Sequence, residues 1–117
     1  TKSTIEDKSL IFISSQSAEY GGFELTAYSA SKGFINSLSN SLSKELGEYQ
    51  IRTNVLSLGK FESNQLMKNF NWDKKKLISD IPLGYVGKPK DVSEIVNNLI
   101  FNSPYLSGAN IKLSGGR

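Results

Sequence analysis

Tyr28 and Lys32 stand four residues apart in a chain of 117 residues that contains neither histidine nor cysteine. Without those residue types there is no serine-histidine relay, no thiol nucleophile, no disulfide and little basis for a zinc site, so no metal site is expected. Proton transfer then falls to tyrosine, lysine or a carboxylate. If residues 28–32 are helical, the phenol and the ammonium share one face, and a nearby ammonium favours the phenolate over the phenol. Ser15, upstream of the pair, could donate a hydrogen bond to a substrate carbonyl while Tyr28 exchanges the proton. The spacing alone carries little weight: with 5 tyrosines and frequent lysine, about half a Tyr-x-x-x-Lys match is expected by chance.

What gives the pair weight is the order of elements that must hold it. Leu10 to Ile13 is a continuous apolar run of strand length, closed by Ser14 and Ser15, and suits a strand buried on both faces. Gly21 and Gly22 mark a loop. From Ala27 to Leu46 the residues Phe34, Ile35, Leu38, Leu42 and Leu46 recur at helical spacing, with Thr26 as N-cap and Gly47 as the stop. Ile51 to Ser57 reads as a second strand, punctuated by Gly59. One or two short helices are expected in the polar stretch containing Met67, Phe70 and Trp72. Pro82 to Pro89 is a turn-rich connector, after which Asp91 is placed to cap a helix carrying Val92, Ile95, Val96, Leu99 and Ile100. Ala109 to Leu113 supplies the last strand. Strand, helix, strand, helix, strand predicts three parallel strands joined by crossover helices, an α/β sheet without internal repeats.

In such sheets the ligand crevice lies beyond the carboxyl ends of the strands, which directs attention to Ser14, Ser15 and residues 57–63. Composition agrees with one globular unit over 1–117 and names no function. A net charge of +3 with 14 basic and 11 acidic residues leaves Lys74, Lys75 and Lys76 as the one dense cluster. It reads as a solvated helix face, since no arginine or aromatic stripe accompanies it, and no nucleic-acid partner is expected. No apolar run approaches a membrane span and residues 1–8 are polar, so no membrane partner is expected and a soluble, cytoplasmic protein is the default.

The ordered set Leu10-Ile-Phe-Ile-Ser-Ser15, Tyr28-Ser-Ala-Ser-Lys32-Gly33, Ile51-Arg-Thr-Asn-Val55 with Gly59, Ile81-Pro-Leu-Gly84 with Gly87-Lys-Pro89 and Asp91-Val92, and Ser114-Gly115-Gly116 resembles the short-chain dehydrogenase/reductase family. The likeness runs in family order over nearly the whole chain. It implies the C-terminal part of a Rossmann-like, doubly wound parallel sheet, and an oxidoreductase moving hydride between NAD or NADP and a secondary alcohol/ketone pair. By the same resemblance Tyr28 is the general acid/base, Lys32 lowers its pKa and holds the nicotinamide ribose, and Ser15 orients the carbonyl or alcohol. Gly59, Lys60 and Phe61 pass along the nicotinamide, and Ser63 stands where a hydroxyl touches the cofactor; a loop or helix-cap serine is the alternative for Ser63. Gly33 costs about 1 kcal/mol in a helix relative to alanine, which close packing of another helix would explain. Leu58 stands where the family usually has proline.

The family's glycine-rich dinucleotide turn has no counterpart in these residues. An N-terminal, dinucleotide-binding half is therefore the expected partner, with activity only when it is present. If both crossovers are right-handed and the strands add in one direction, both connecting helices fall on one face of the sheet. The other face would then be bare, and the N-terminal half is expected to cover it together with the first strand's open edge. The resemblance further implies a helical bundle between subunits through the long helix, hence a homo-oligomer, either dimer or tetramer. Gln16, Ser17 and Ser15 are the first substrate candidates; Phe23, Met67, Phe70 and Trp72 follow, with lid or core packing favoured for the last two. Two rival readings are a non-catalytic or regulatory member of the same fold, including an inactive fragment, and a sugar-nucleotide epimerase or dehydratase, for whose substrate domain the chain leaves little room.

Overall fold

The computed structural model of the protein describes residues 8–69 and 73–117. Phe70, Trp72, the start of the chain through Asp7 and the side chain of Met67 lie outside that description. Three parallel strands, β1 (Lys8–Ser15), β2 (Ile51–Leu58) and β3 (Asn110–Leu113), form one sheet in the order β1-β2-β3. β1 and β2 pair along their whole length, from Lys8 opposite Ile51 to Ser15 opposite Leu58. The carboxyl ends of the two strands are therefore level, and Ser15 sits at that edge.

The helices are α1 (Ser17–Tyr20), α2 (Thr26–Glu45), α3 (Asn64–Asn69), α4 (Lys74–Ile78) and α5 (Pro89–Phe101). Helix α1 was not expected: its single turn leaves too short a segment for apolar periodicity to register. Thr26 proves to be the first helical residue of α2, with Leu25 in the cap position and no side-chain cap bond. Gly47 stands where expected, just past the Leu46 C-cap that ends α2. It opens a 3-10 turn over Gly47–Tyr49, and the reversal into β2 is made by Gln50 in the left-handed region at φ 58°. Asp91 lies one turn inside α5 rather than at its cap; its carboxylate accepts the backbone N–H of Lys88 at 2.8 Å while Pro89 takes the first helical position. That arrangement uses proline where its missing N–H costs nothing. At α4 the cap is Asp73, which accepts the N–H of Lys76 at 3.2 Å, and Lys74 to Lys76 lie exposed.

Side-chain bonds settle which face each crossover helix covers, and they overturn the same-face expectation. Paired residues of adjacent parallel strands point to the same side of a sheet, and neighbours along a strand to opposite sides. Ser14 pairs with Ser57, and its hydroxyl donates to the Lys32 carbonyl of α2 at 3.3 Å. The face of Ser14, Ser57, Val55 and Thr53 is thus the one under α2. Arg52, of opposite parity, sends its guanidinium to the carbonyls of Leu99, Ile100 and Ser103. Helix α5 therefore crosses the other face, where it also packs on β1. Because both strands are added in the same direction, the two crossovers have opposite hands, so one departs from the right-handed rule. The physical reason is visible in β2, whose residues Arg52 to Ser57 are all buried. A strand closed on both faces needs a layer on each, and α5 supplies the second.

The load that β2 buries is largely polar, and most of it is satisfied. Beyond the Arg52 bonds, the Asn54 amide donates to Leu106 O at 2.8 Å and accepts the Ala109 N–H at 3.0 Å, pinning the turn into β3. These hydrogen bonds are buried or partly so, and their loss leaves carbonyls and amides unpaired. β1 differs. Leu10, Ile11 and Phe12 are half-buried and Ile13 is 40% exposed. Among the described residues β2 is its one neighbour, so the two-faced burial expected of its apolar run is incomplete. No helix among the described residues is long and apolar enough to cross a membrane.

Candidate active site

Beyond the carboxyl ends of β1 and β2 lies a cleft of about 430 Å³ lined by Ser15, Gln16, Ser17, Tyr28 and Gly59 among others, a size ordinary for small-molecule sites. Each arrives for a local reason. β1 ends at Ser15; the chain turns into α1, and two Ser17 donors converge on the Ser15 oxygen, the backbone N–H at 3.2 Å and the hydroxyl at 3.0 Å. With its lone pairs so engaged, the Ser15 hydroxyl hydrogen is left to be donated elsewhere. Ser17, expected among the substrate residues, thus points its hydroxyl at Ser15.

Tyr28 lies in the first turn of α2 and is 47% exposed on the cleft. Lys32, one turn on, reaches back over it. Its ammonium stands 5.8 Å from the centre of the Tyr28 ring and donates to the carbonyl of Ile13, in β1, at 3.1 Å. The ammonium lies over the ring face, in cation–π range, and the strand carbonyl fixes its position. Tyr28 and Lys32 are consequently on one side of the helix and close to the end of β1.

Gln16 is 5% exposed. Its amide nitrogen donates to the carbonyl of Arg117, and its Oε1 is buried without a hydrogen-bond partner. Facing it is Gly59, where an added Cβ would come within 2.9 Å of both Gln16 Oε1 and the Ser114 Cα. Glycine is required there because backbone from β3's end passes where a side chain would go. Gly33 has no such excuse: among the described residues the nearest atom to an added Cβ is Ala18 O at 3.9 Å, an ordinary contact rather than the close helix packing expected.

Lys60, Phe61 and Ser63 do not line this cleft. The Lys60 ammonium donates to Leu77 O at 2.9 Å and to Asp80 Oδ1 at 2.8 Å. The Phe61 ring occupies the space beside Gly87, where an added Cβ would meet it at 2.5 Å. The Ser63 hydroxyl accepts the N–H of Leu66 at 3.1 Å, the bond of a cap at the start of α3. Asp80 also accepts from Arg117 Nε at 2.6 Å. It thereby ties the residue 59–61 segment to Arg117, whose carbonyl in turn holds Gln16. The Lys60 hydrogen bond holds the Asp80 carboxyl below the ordinary carboxylate range, against the opposing cost of partial burial and with help from Arg117. A carboxyl whose folded-state pKa is depressed stabilises the fold above its unfolded value, near 4, and that contribution is lost as pH falls through the folded value. Asp80→Asn is therefore expected to flatten the decline in melting temperature below about pH 4, measured by circular dichroism; an unchanged acid limb would show that the link contributes nothing.

Sequence reasoning passed over Tyr20 and Arg117, which also line the cleft. Tyr20 carried no signal of its own, and Arg117 is brought in only by tertiary contact.

Comparison with known proteins decides the family. A family model described as enoyl-(acyl carrier protein) reductase matches residues 2–117. The chain belongs to the short-chain dehydrogenase/reductase family. Within it, the (3R)-3-hydroxyacyl-CoA dehydrogenase of Mus musculus is 35% identical over 92% of this chain and 42% of the relative. The 3-oxoacyl-[acyl-carrier-protein] reductase FabG of Thermotoga maritima is 32% identical over 92% of this chain and 44% of the relative. An NADPH-bound short-chain oxidoreductase of Pseudomonas aeruginosa PAO1, described as having an atypical catalytic centre, superimposes with a TM-score of 0.83 at 27% identity, covering 94% of this chain and 46% of that one. The chain thus spans less than half the length of these members of the short-chain dehydrogenase/reductase family.

Proposed function

We propose that residues 1–117 form the catalytic half of one Rossmann-like domain, and that the complete domain exchanges hydride between a nicotinamide cofactor, NAD or NADP, and a secondary alcohol/ketone pair. The observation carrying this reading is the convergence of Ser15 and Tyr28 on one cleft with the Lys32 ammonium fixed over the phenol ring. Hydroxyacyl-CoA and oxoacyl-carrier activities in relatives support it, as does NADPH in a structural neighbour.

In this reading the Ser15 hydroxyl, its oxygen already engaged by Ser17, donates to the substrate oxygen and fixes its position. Tyr28 gives a proton to that oxygen in reduction and takes it back in oxidation. The strand carbonyl of Ile13 occupies one donor of the Lys32 ammonium, which leaves donors for ribose hydroxyls. Whether the residues suit a nicotinamide can be judged at Gly59, whose bare Cα keeps backbone close to the buried, unpartnered Gln16 Oε1; an acceptor there fits a carboxamide N–H₂ donor. Lys60, Phe61 and Ser63 belong to the same passing segment. The cofactor, when bound, supplies or accepts the hydride. Gln16 and Ser17 complete the substrate wall, a homo-oligomer forms through α2, and a cytoplasmic location is part of the same reading.

The test is an absorbance assay of the complete domain with NADH and NADPH against 3-oxoacyl thioesters, sugars and cyclic ketones. Turnover of at least one carbonyl class with one coenzyme is expected. Coenzyme binding without turnover of any of them would instead favour the scaffold reading.

A further inference from the structure

Tyr20 closes α1 at the lip of the cleft and is 66% exposed. Beside it stands Lys112, which comes from β3 and is 92 positions away in sequence. The Lys112 ammonium donates to Glu19 Oε2 at 2.7 Å and to Tyr20 Oη at 3.2 Å, and lies 5.4 Å from the centre of the Tyr20 ring. An ammonium has donors only, so in this contact the phenol oxygen is the acceptor and its hydrogen is spent on nothing. Among the described residues Tyr20 Oη makes no other hydrogen bond. A second phenol therefore lines the cleft, its oxygen held by Lys112 and its hydrogen unused among the described residues.

We propose that Tyr20 is a specificity-determining residue that donates a hydrogen bond to a second oxygen of the substrate, remote from the reacting carbonyl. The proposal rests on the oxidoreductase reading above and narrows it. A phenol whose oxygen already accepts from an ammonium is a polarised, stronger donor, and the partner it suits is a carbonyl or carboxylate oxygen. Substrates carrying such an atom, as a 3-oxoacyl thioester does in its thioester carbonyl, gain a bond that a simple ketone cannot make. The hydrogen bond to Glu19, with the one to Tyr20 adding to it, raises the pKa of the Lys112 ammonium above the ordinary lysine value. The brace also fixes α1 against β3, so the donor is held in place before substrate arrives.

The experiment measures kcat/KM of the complete domain for a short 3-oxoacyl thioester and for cyclohexanone, in the unmodified protein and in Tyr20→Phe. Loss of one polarised hydrogen bond should lower the thioester-to-cyclohexanone ratio by about 10- to 100-fold, chiefly through KM of the thioester. Lys112→Met, which removes the brace and leaves the phenol, should move the ratio in the same direction by less. A ratio unchanged in Tyr20→Phe would overturn the assignment and leave Tyr20 as a tie between α1 and β3. An unmodified domain inactive on both substrates would remove the oxidoreductase reading itself, and this inference with it.

Discussion

Replacing Tyr28 with phenylalanine is expected to lower turnover of the complete domain by about 10²- to 10⁴-fold, the range for loss of a positioned general acid/base. The substitution is conservative in every respect but one. The ring stays, the Lys32 ammonium keeps its face and its bond to Ile13 O, and the cleft keeps its shape. What disappears is the hydroxyl; the chain has no histidine, and the cleft's other phenol, Tyr20, has its oxygen held by Lys112 of β3 rather than beside Lys32. Ser15 can orient an oxygen but is a poor proton source near neutral pH. Single-turnover kinetics at saturating coenzyme provide the measurement, since they separate the chemical step from product release. A variant turning over at near-normal rate would take Tyr28 out of the mechanism.

The second large effect falls on stability. Arg52→Met is expected to destabilise the domain by about 3 kcal/mol or more, because hydrogen bonds from a charged group to buried carbonyls are worth about 1.5–3 kcal/mol each and the loss is not fully compensated. Arg52 is 6% exposed, and its guanidinium closes the carboxyl end of α5 through Leu99 O and Ile100 O while holding Ser103 O in the following turn. Methionine restores the stem's packing but leaves those carbonyls facing an apolar surface. The positive charge also opposes the negative end of the helix dipole, and that interaction goes too. Urea unfolding with and without the substitution reads the difference. Arg52→Lys should recover part of it, since an ammonium keeps the charge but not the planar fork. A methionine variant within 1 kcal/mol of the parent would mean that the α5 terminus finds other partners.

How much of this was legible in the sequence depends on the range of the interaction that decides each feature. Strand β1, helix α2 and the Tyr28–Lys32 juxtaposition follow from patterns a few residues long, and all three are where those patterns put them. The burial of β2 does not follow locally. Ile51-Arg-Thr-Asn-Val55 is half polar, and it is a core strand because Arg52 and Asn54 find carbonyl and amide partners from Leu99 to Ala109. The same holds at the site. Ser15 could be placed from the end of an apolar run, whereas the Lys112 brace on Tyr20 joins elements with nothing but the completed sheet between them. The placement of α5 was misjudged for a different reason. The handedness rule is statistical, and the guanidinium that draws α5 to the far face lies on the opposite side of β2 from α2's contacts.

That reversed hand also bears on how the cleft could have arisen. A helix can swing beneath a sheet only if the tether leading to it has slack, and here the tether from Gly59 to Lys88 is long enough to carry α3 and α4 on the way. The same slack lets Lys60 and Asp80 fold back beside the strand ends. Trimming it toward a tight turn would therefore do two things at once: shorten the path that α5 needs to reach the far face, and remove the Lys60–Asp80–Arg117 link whose last member holds Gln16. Loop length and crossover chirality are thus tied together in this fold, and the cleft feels them only through Arg117 and Gln16.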